Sequence, residues 1–173
     1  LYYYLLAVCI IIIDQLTKWL IVSTLELNER VSVVGDFFQI TSHRNTGAAF
    51  GILTGQRWFF IVITIVIVAG LVWYIRNTMA RGLRLAPLAF SLVLGGAIGN
   101  FIDRLLTGEV VDFFKFRFQF DWFGSPIDYT FPIFNVADMM IVIGVSLAMI
   151  HVWQDKQETT RQDAKEQGAT SNE

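Results

Sequence analysis

The chain has 173 residues, 54% of them hydrophobic and only 16% charged, with a net charge of −2, and its mean hydropathy is +0.53. Soluble domains usually carry roughly 25% charged residues, so an ordinary soluble class is disfavoured, and the charge leaves no footprint for nucleic acid. The lone Cys9 excludes an intrachain disulfide and a cysteine-based metal site.

The first element is a predicted membrane helix over 2–22, free of charge to residue 13 and interrupted only by Asp14 and Lys18. It lacks the short apolar core and small-residue cleavage site of a signal peptide. Region 23–57 is β-branched and aromatic, with Gly35-Asp36 as turn chemistry, and is expected to form short outer strands. Arg57 and Arg76 then enclose eighteen uncharged residues, the second helix at 58–75, about the length that spans a bilayer core.

A third helix is predicted over 86–106. Its Gly95 and Gly99 form a small-xxx-small pattern that admits a neighbouring backbone. The outer loop 107–133 follows, in which Phe114, Phe116, Phe118 and Phe120 alternate with polar residues. That period of two argues for a strand whose apolar face rests on lipid or on the first outer region. The fourth helix is predicted over 134–153, and the tail 154–173 is polar, expected to be a solvated helix end that frays. Trp19, Trp58, Trp73 and Trp153 fall at helix ends, where aromatic belts form. The fold class is thus four membrane helices with a small extracytoplasmic β element, in one polytopic domain over 1–153. The compact basic link at 76–85 and the basic residues of the tail place both termini in the cytoplasm.

Ionisable residues inside a membrane are functional suspects by default. With this topology Asp14, Lys18, Asn100, Asp103, Arg104, Asp112, Asn135 and Asp138 all fall near the outer interface. Asn100 and Arg104 share a helix face, as do Asn135 and Asp138. Asp112 and Asp138 are candidates for a carboxylate pair in which one member keeps a proton while the other is ionised. Such a pair activates a water and polarises a carbonyl together.

Plainer roles compete for each. Asp14 and Lys18 are spaced i,i+4 in the favourable acid-first order, which reads as a structural ion pair. Asp103 beside Arg104 reads as a second fold-locking pair, and Asp138 alone as a charge complementing a helix N-terminus. His43 and His151 stand apart without ligand spacing, so no metal is expected. A serine–lysine arrangement of Ser91 or Ser146 with Lys18 would place the chemistry too deep in the membrane.

The motifs DQLTK (14–18), NTGAAFG (45–51), GNFIDR (99–104), VVDF (110–113) and FNVAD (134–138) occur in this order on four predicted helices. Together they resemble lipoprotein signal peptidase, the type II signal peptidase of bacteria. The resemblance covers helix 1 to helix 4 and not the tail. It implies an aspartic endopeptidase of the bacterial inner membrane that needs no metal or other cofactor. Its substrate would be a diacylglyceryl-modified prolipoprotein, cut just before the lipidated cysteine at the extracytoplasmic face.

By motif, Asp112 and Asp138 match the catalytic pair, and Asn45, Gly47, Asn100, Arg104 and Asn135 match site-supporting positions. Asp14, Lys18 and Asp103 match structural polar positions. Membrane lipid and globomycin-type inhibitors are the other implied ligands, and a monomer is expected. One departure stands out: the Phe ladder and GSPIDYTFP enlarge the outer loop between the two aspartates, a region that covers the active site in the family. The alternative is a small proton-coupled transporter using the same carboxylates. It would want its binding groups near the midplane on broken helices, which this pattern lacks. A non-enzymatic scaffold would leave the convergence of Asn, Arg and Asp unexplained.

Overall fold

The computed structural model describes residues 1–47 and 53–170, with side chains in the last helix as far as Arg161. The 48–51 part of the NTGAAFG motif therefore lies outside the described residues. In chain order the elements are α1 (Tyr2–Thr24), β1 (Arg30–Val34), β2 (Phe38–Asn45), α2 (Arg57–Ala80), α3 (Leu85–Leu106), β3 (Val110–Trp122), β4 (Ser125–Thr130) and α4 (Val136–Thr170). All four helices are long and apolar enough to cross a membrane.

α3 is the hub, packing against α1, α2 and α4. Its sequence explains why. A Cβ at Gly95 would come within 2.9 Å of the Ala7 carbonyl on α1, and one at Gly99 within 2.5 Å of Asp14 Oδ2. At Gly96 it would run into the Ala137 carbonyl on α4. Bare glycines therefore let three backbones meet where a side chain would wedge them apart. Toward the opposite end, Ala7, Ile75 and Leu94 form an apolar core ringed by Tyr3, Tyr4 and Phe90. The outward faces of α1, α2 and α4 expose Leu, Ile, Val and Trp side chains, as lipid-facing helices require.

The strands form one antiparallel meander in the order β1-β2-β3-β4. Gly35, at φ +50°, supplies the turn between β1 and β2. β2 carries a bulge between Ile40 and His43, which re-aims the strand just before it reaches Asp112. The inner half of the Phe ladder rests on the first outer region. Phe116 stacks on Phe38 at 4.7 Å between ring centroids, and Phe134 lies parallel to Phe116 at 5.9 Å.

The structure departs from expectation in three places. Within segment 107–133 the expected strand is present as β3, but the residues after it form a second strand rather than a loop and close a long hairpin. Ser125–Thr130, rich in turn-forming residues, pairs with β3 from Arg117↔Thr130 to Trp122↔Ser125. Its two-residue turn puts Phe123 and Gly124 at φ +48° and +83°, the twist that suits a hairpin. The second membrane helix runs on to Ala80, well beyond residue 75. The tail, expected to fray, continues α4 to Thr170, giving a helix of about 52 Å against a hydrocarbon core of about 30 Å.

Candidate active site

The site grows from the α1–α3–α4 junction. Lys18 Nζ lies 2.8 Å from Asp14 Oδ2 and 2.9 Å from Asp103 Oδ2. Its third donor reaches Asn100 Oδ1 at 2.9 Å, so all three ammonium protons are placed. Asp14 Oδ1 in turn accepts the Ala137 N–H at 3.0 Å, one of the amides that a helix start leaves without an internal partner. Gln15 Nε2 donates to Asp103 Oδ1 at 2.9 Å. Asp14, Lys18, Asn100 and Asp103 are buried, and with the half-buried Gln15 they tie three helices together.

The Asp14–Lys18 pair read from sequence is present. The Asp103–Arg104 pair is not: Asp103 goes to Lys18. Adjacent helical residues point about 100° apart, so Asp103 turns into the bundle while Arg104 turns into the cleft. There Arg104 donates to the Gly47 carbonyl at 3.1 Å, and its guanidinium lies 4.6 Å over the Phe60 ring.

Asn100 connects the cluster to the next layer. Its Oδ1 accepts from Lys18 and from Asn135 Nδ2 at 3.1 Å. With the oxygen committed, Nδ2 donates to Asp138 Oδ1 at 2.7 Å. Asn135 and Asp138 also close a reciprocal cap on α4. The Asp138 N–H donates to Asn135 Oδ1 at 3.0 Å, and the Asn135 N–H to Asp138 Oδ2 at 3.2 Å. The helix-end role weighed for Asp138 is therefore real, and it fixes the carboxylate facing the cleft.

Asp112 arrives from β3, only 2% exposed. Asn135 Nδ2 donates to its Oδ1 at 2.7 Å, and Asn45 Nδ2 to its Oδ2 at 2.9 Å. Burial, and then the charge of Asp138, push its carboxyl up to about 7 from an ordinary 3.8, while the two amides pull the other way. A carboxyl poised there holds a proton beside a second carboxyl at neutral pH.

Both aspartates line a cleft of about 610 Å³ together with Asn45, Gly47, Asn100 and Arg104. The structure thus brings the residues singled out from sequence together in layers, with Asp14, Lys18 and Asp103 behind, Asn135 buried beneath the two aspartates, and Asn45, Gly47, Asn100, Arg104, Asp112 and Asp138 at the cleft. His43, which the sequence left isolated, also lines the cleft. It pairs with Asp112 across β2 and β3, and burial together with Arg44 lowers its pKa. A strand reading that placed His43 two residues before Asn45 was the signal available for it. Among the described residues no three His, Cys, Asp or Glu side chains group to hold a metal ion.

Several known proteins are similar to this chain. Residues 6–154 match the family described as Signal peptidase (SPase) II. The chain is 53% identical over 149 residues to the lipoprotein signal peptidase of Shouchella clausii, covering 86% of this chain and 91% of that one. It is 48% identical over 153 residues to that of Bacillus subtilis, covering 88% and 94%. Among solved structures it resembles a bacterial membrane enzyme determined by the in meso method at 2.3 Å. The TM-score there is 0.77 at 42% identity, over 91% of this chain and 90% of the other. A second such enzyme, at 1.9 Å, gives a TM-score of 0.73 at 44% identity, over 89% and 94%.

Proposed function

The chain belongs to the signal peptidase II family, multi-pass bacterial membrane proteases that process prolipoproteins, and we propose that it is an aspartic endopeptidase whose catalytic pair is Asp112 and Asp138. The observation that carries this reading is the placement of two carboxyls in one cleft, one of them buried and titrating at about 7.

In the proposed reaction Asp138 enters ionised, held at the start of α4 by Asn100 and by its own cap, and Asp112 enters protonated. Asp138 takes a proton from the attacking water, whose oxygen adds to the scissile carbonyl carbon. Asp112 donates its proton to the carbonyl oxygen, giving a neutral gem-diol. The gem-diol collapses as Asp112 recovers a hydroxyl proton and Asp138 delivers its proton to the leaving amine nitrogen. The C–N bond breaks and both carboxyls return to their starting states. Asn45 and Asn135 steady Asp112 through the cycle, and Arg104 supplies positive charge at the cleft wall.

The substrate fits the location. A cysteine carrying a diacylglyceryl group keeps its acyl chains in the bilayer, which delivers the adjacent peptide bond to the membrane surface where the helices end and the sheet begins. The basic link between α2 and α3 supports an orientation with both termini in the cytoplasm and the cleft outside, in the bacterial inner membrane. The same reading takes the enzyme as a monomer and the cleft as the site for globomycin-type inhibitors. Proton-coupled transport finds no foothold, because the carboxylates sit at one end of the bundle and α1 to α4 run unbroken through their apolar lengths.

The test is cleavage by purified protein in detergent of one prolipoprotein prepared with and without its diacylglyceryl group, with chelator present. Cleavage of the lipidated form alone is expected. Equal cleavage of both forms, or loss of activity with chelator, contradicts the reading.

A further inference from the structure

The cleft touches six consecutive residues, Tyr129 to Phe134. β4 is an outer strand of the sheet, and its last two residues, Tyr129 and Thr130, line the cavity where the strand ends.

Register shows which groups the outer edge of β4 presents. The Phe131 N–H donates to the Phe116 carbonyl at 2.9 Å, so Phe131 faces β3. In an antiparallel pair the hydrogen-bonded positions alternate. Thr130, opposite Arg117, and Asp128, opposite Gln119, therefore turn their N–H and C=O groups outward. The Arg117 N–H points the other way, to the Phe37 carbonyl at 2.9 Å, as that alternation demands.

The open stretch is short and bounded. Pro126 and Pro132 flank it, and neither has an N–H to offer. Proline is one of the devices that keep a free edge from pairing indiscriminately. Here it leaves open only the part beside the cleft. The stretch is also tied to β3: Arg117 Nε donates to Asp128 Oδ1 at 2.8 Å, and its terminal nitrogen to Asp128 Oδ2.

We infer that the β4 edge at Asp128–Thr130 receives the extended peptide that follows the lipidated cysteine, pairing with it as a fifth strand through main-chain hydrogen bonds. This rests on the peptidase reading above. The lipid and the signal segment belong to the membrane, so the chain that leaves the cleft toward the hairpin is the mature part of the substrate. Thr130 lies opposite Arg117, five residues along β3 from Asp112, roughly 17 Å at strand spacing. The pairing therefore engages residues about four to six positions beyond the cleavage point. Recognition through the backbone of an added strand tolerates many side chains, which suits an enzyme that meets many different mature sequences.

The experiment uses the full-length protein in detergent and a diacylglyceryl-modified precursor peptide. Single N-methyl groups are placed in turn on the second to the eighth residue after the cysteine. The expected result is a fall in kcat/KM of roughly tenfold, the scale of one lost hydrogen bond, at alternate positions near the fifth. Thr130→Pro, which removes the edge N–H, should lose a similar factor with the unmodified peptide. It should also blunt the effect of N-methylation at one of the sensitive positions. Thermal unfolding checks that this variant is folded, and the N-methyl series decides alone if it is not. Uniform kcat/KM across the series overturns the inference. So does a Thr130→Pro protein that changes self-association but not cleavage, which would assign the edge to a second copy of the chain. Absence of any cleavage by the unaltered protein overturns the peptidase reading, and the inference falls with it.

Discussion

Asn135 Nδ2 stands 2.7 Å from Asp112 Oδ1, while the same side chain's oxygen caps α4 by accepting the Asp138 N–H. One amide thus sets the position of both aspartates, from a residue with no exposed surface. Asn135→Ala should lower kcat by roughly 10- to 100-fold, the scale of a hydrogen bond to a charged group, with a smaller change in KM. Losing the cap should cost about 1 kcal/mol of stability. The Asn135 bond holds the Asp112 pKa down, so its loss should also move the alkaline limb of the pH–rate profile upward. Steady-state kinetics across pH checks the first and the third and thermal unfolding the second, and a profile that does not move contradicts the assigned bond.

The Asp112 carboxyl, raised to about 7, gives pH dependence in two observables. Cleavage should decline as pH rises through about 7, because the pair loses the proton it shares. Stability follows from linkage. Between about 4 and 7 the folded protein retains a proton on Asp112 that the unfolded chain has lost, so stability falls as pH rises through that window and levels off above it. Asp112→Asn removes this contribution and should raise the unfolding temperature at pH 8 while leaving it nearly unchanged at pH 4. Unfolding scans at the two pH values test the sign.

Lys18→Met would strand two buried carboxylates. Breaking a buried pair by deleting one partner costs about 3–5 kcal/mol, so the unfolding temperature should drop steeply. Adding Asp14→Asn and Asp103→Asn to the same protein should recover part of the loss. Activity should stay low in both, because Asn100 no longer has its oxygen held by Lys18. Full activity with Lys18 gone would show that the amide needs no such anchor.

Gly96→Ala places a methyl group against the Ala137 carbonyl and should push α4 from α3. A cost of about 1–3 kcal/mol is expected, with cleavage reduced as Asn100 and Asp138 separate. Gly70→Ala, with nothing within 4 Å of the added carbon, is the matched comparison and should be neutral or slightly stabilising. Equal effects at the two positions would remove close packing as the explanation.

The four helices were legible because charge-free runs of bilayer length have few alternative uses, and the residues at the cleft because five short motifs converge on one end of the bundle. The Asp14–Lys18 pair could be read from spacing alone, since i,i+4 neighbours share a helix face. Asp103 misled because nearness in sequence was taken for nearness in space, and on a helix the next residue faces elsewhere. β4 was hidden by composition: Gly124, Ser125, Pro126 and Asp128 look like a loop, and only the neighbouring strand turns them into an edge. Gln15 carried no pattern of its own, and its role depends on where Asp103 and Gly99 come to lie. Long-range pairings of this kind are fixed by the packed fold rather than by local sequence.

The most direct test of the account is a side-by-side assay of Asp112→Asn and Asp138→Asn on a lipidated prolipoprotein, with folding verified by unfolding temperature. Each variant, folded and inserted, should show no detectable cleavage while the unaltered protein turns over. Cleavage by either folded variant at a rate near that of the unaltered protein would contradict the two-carboxyl mechanism.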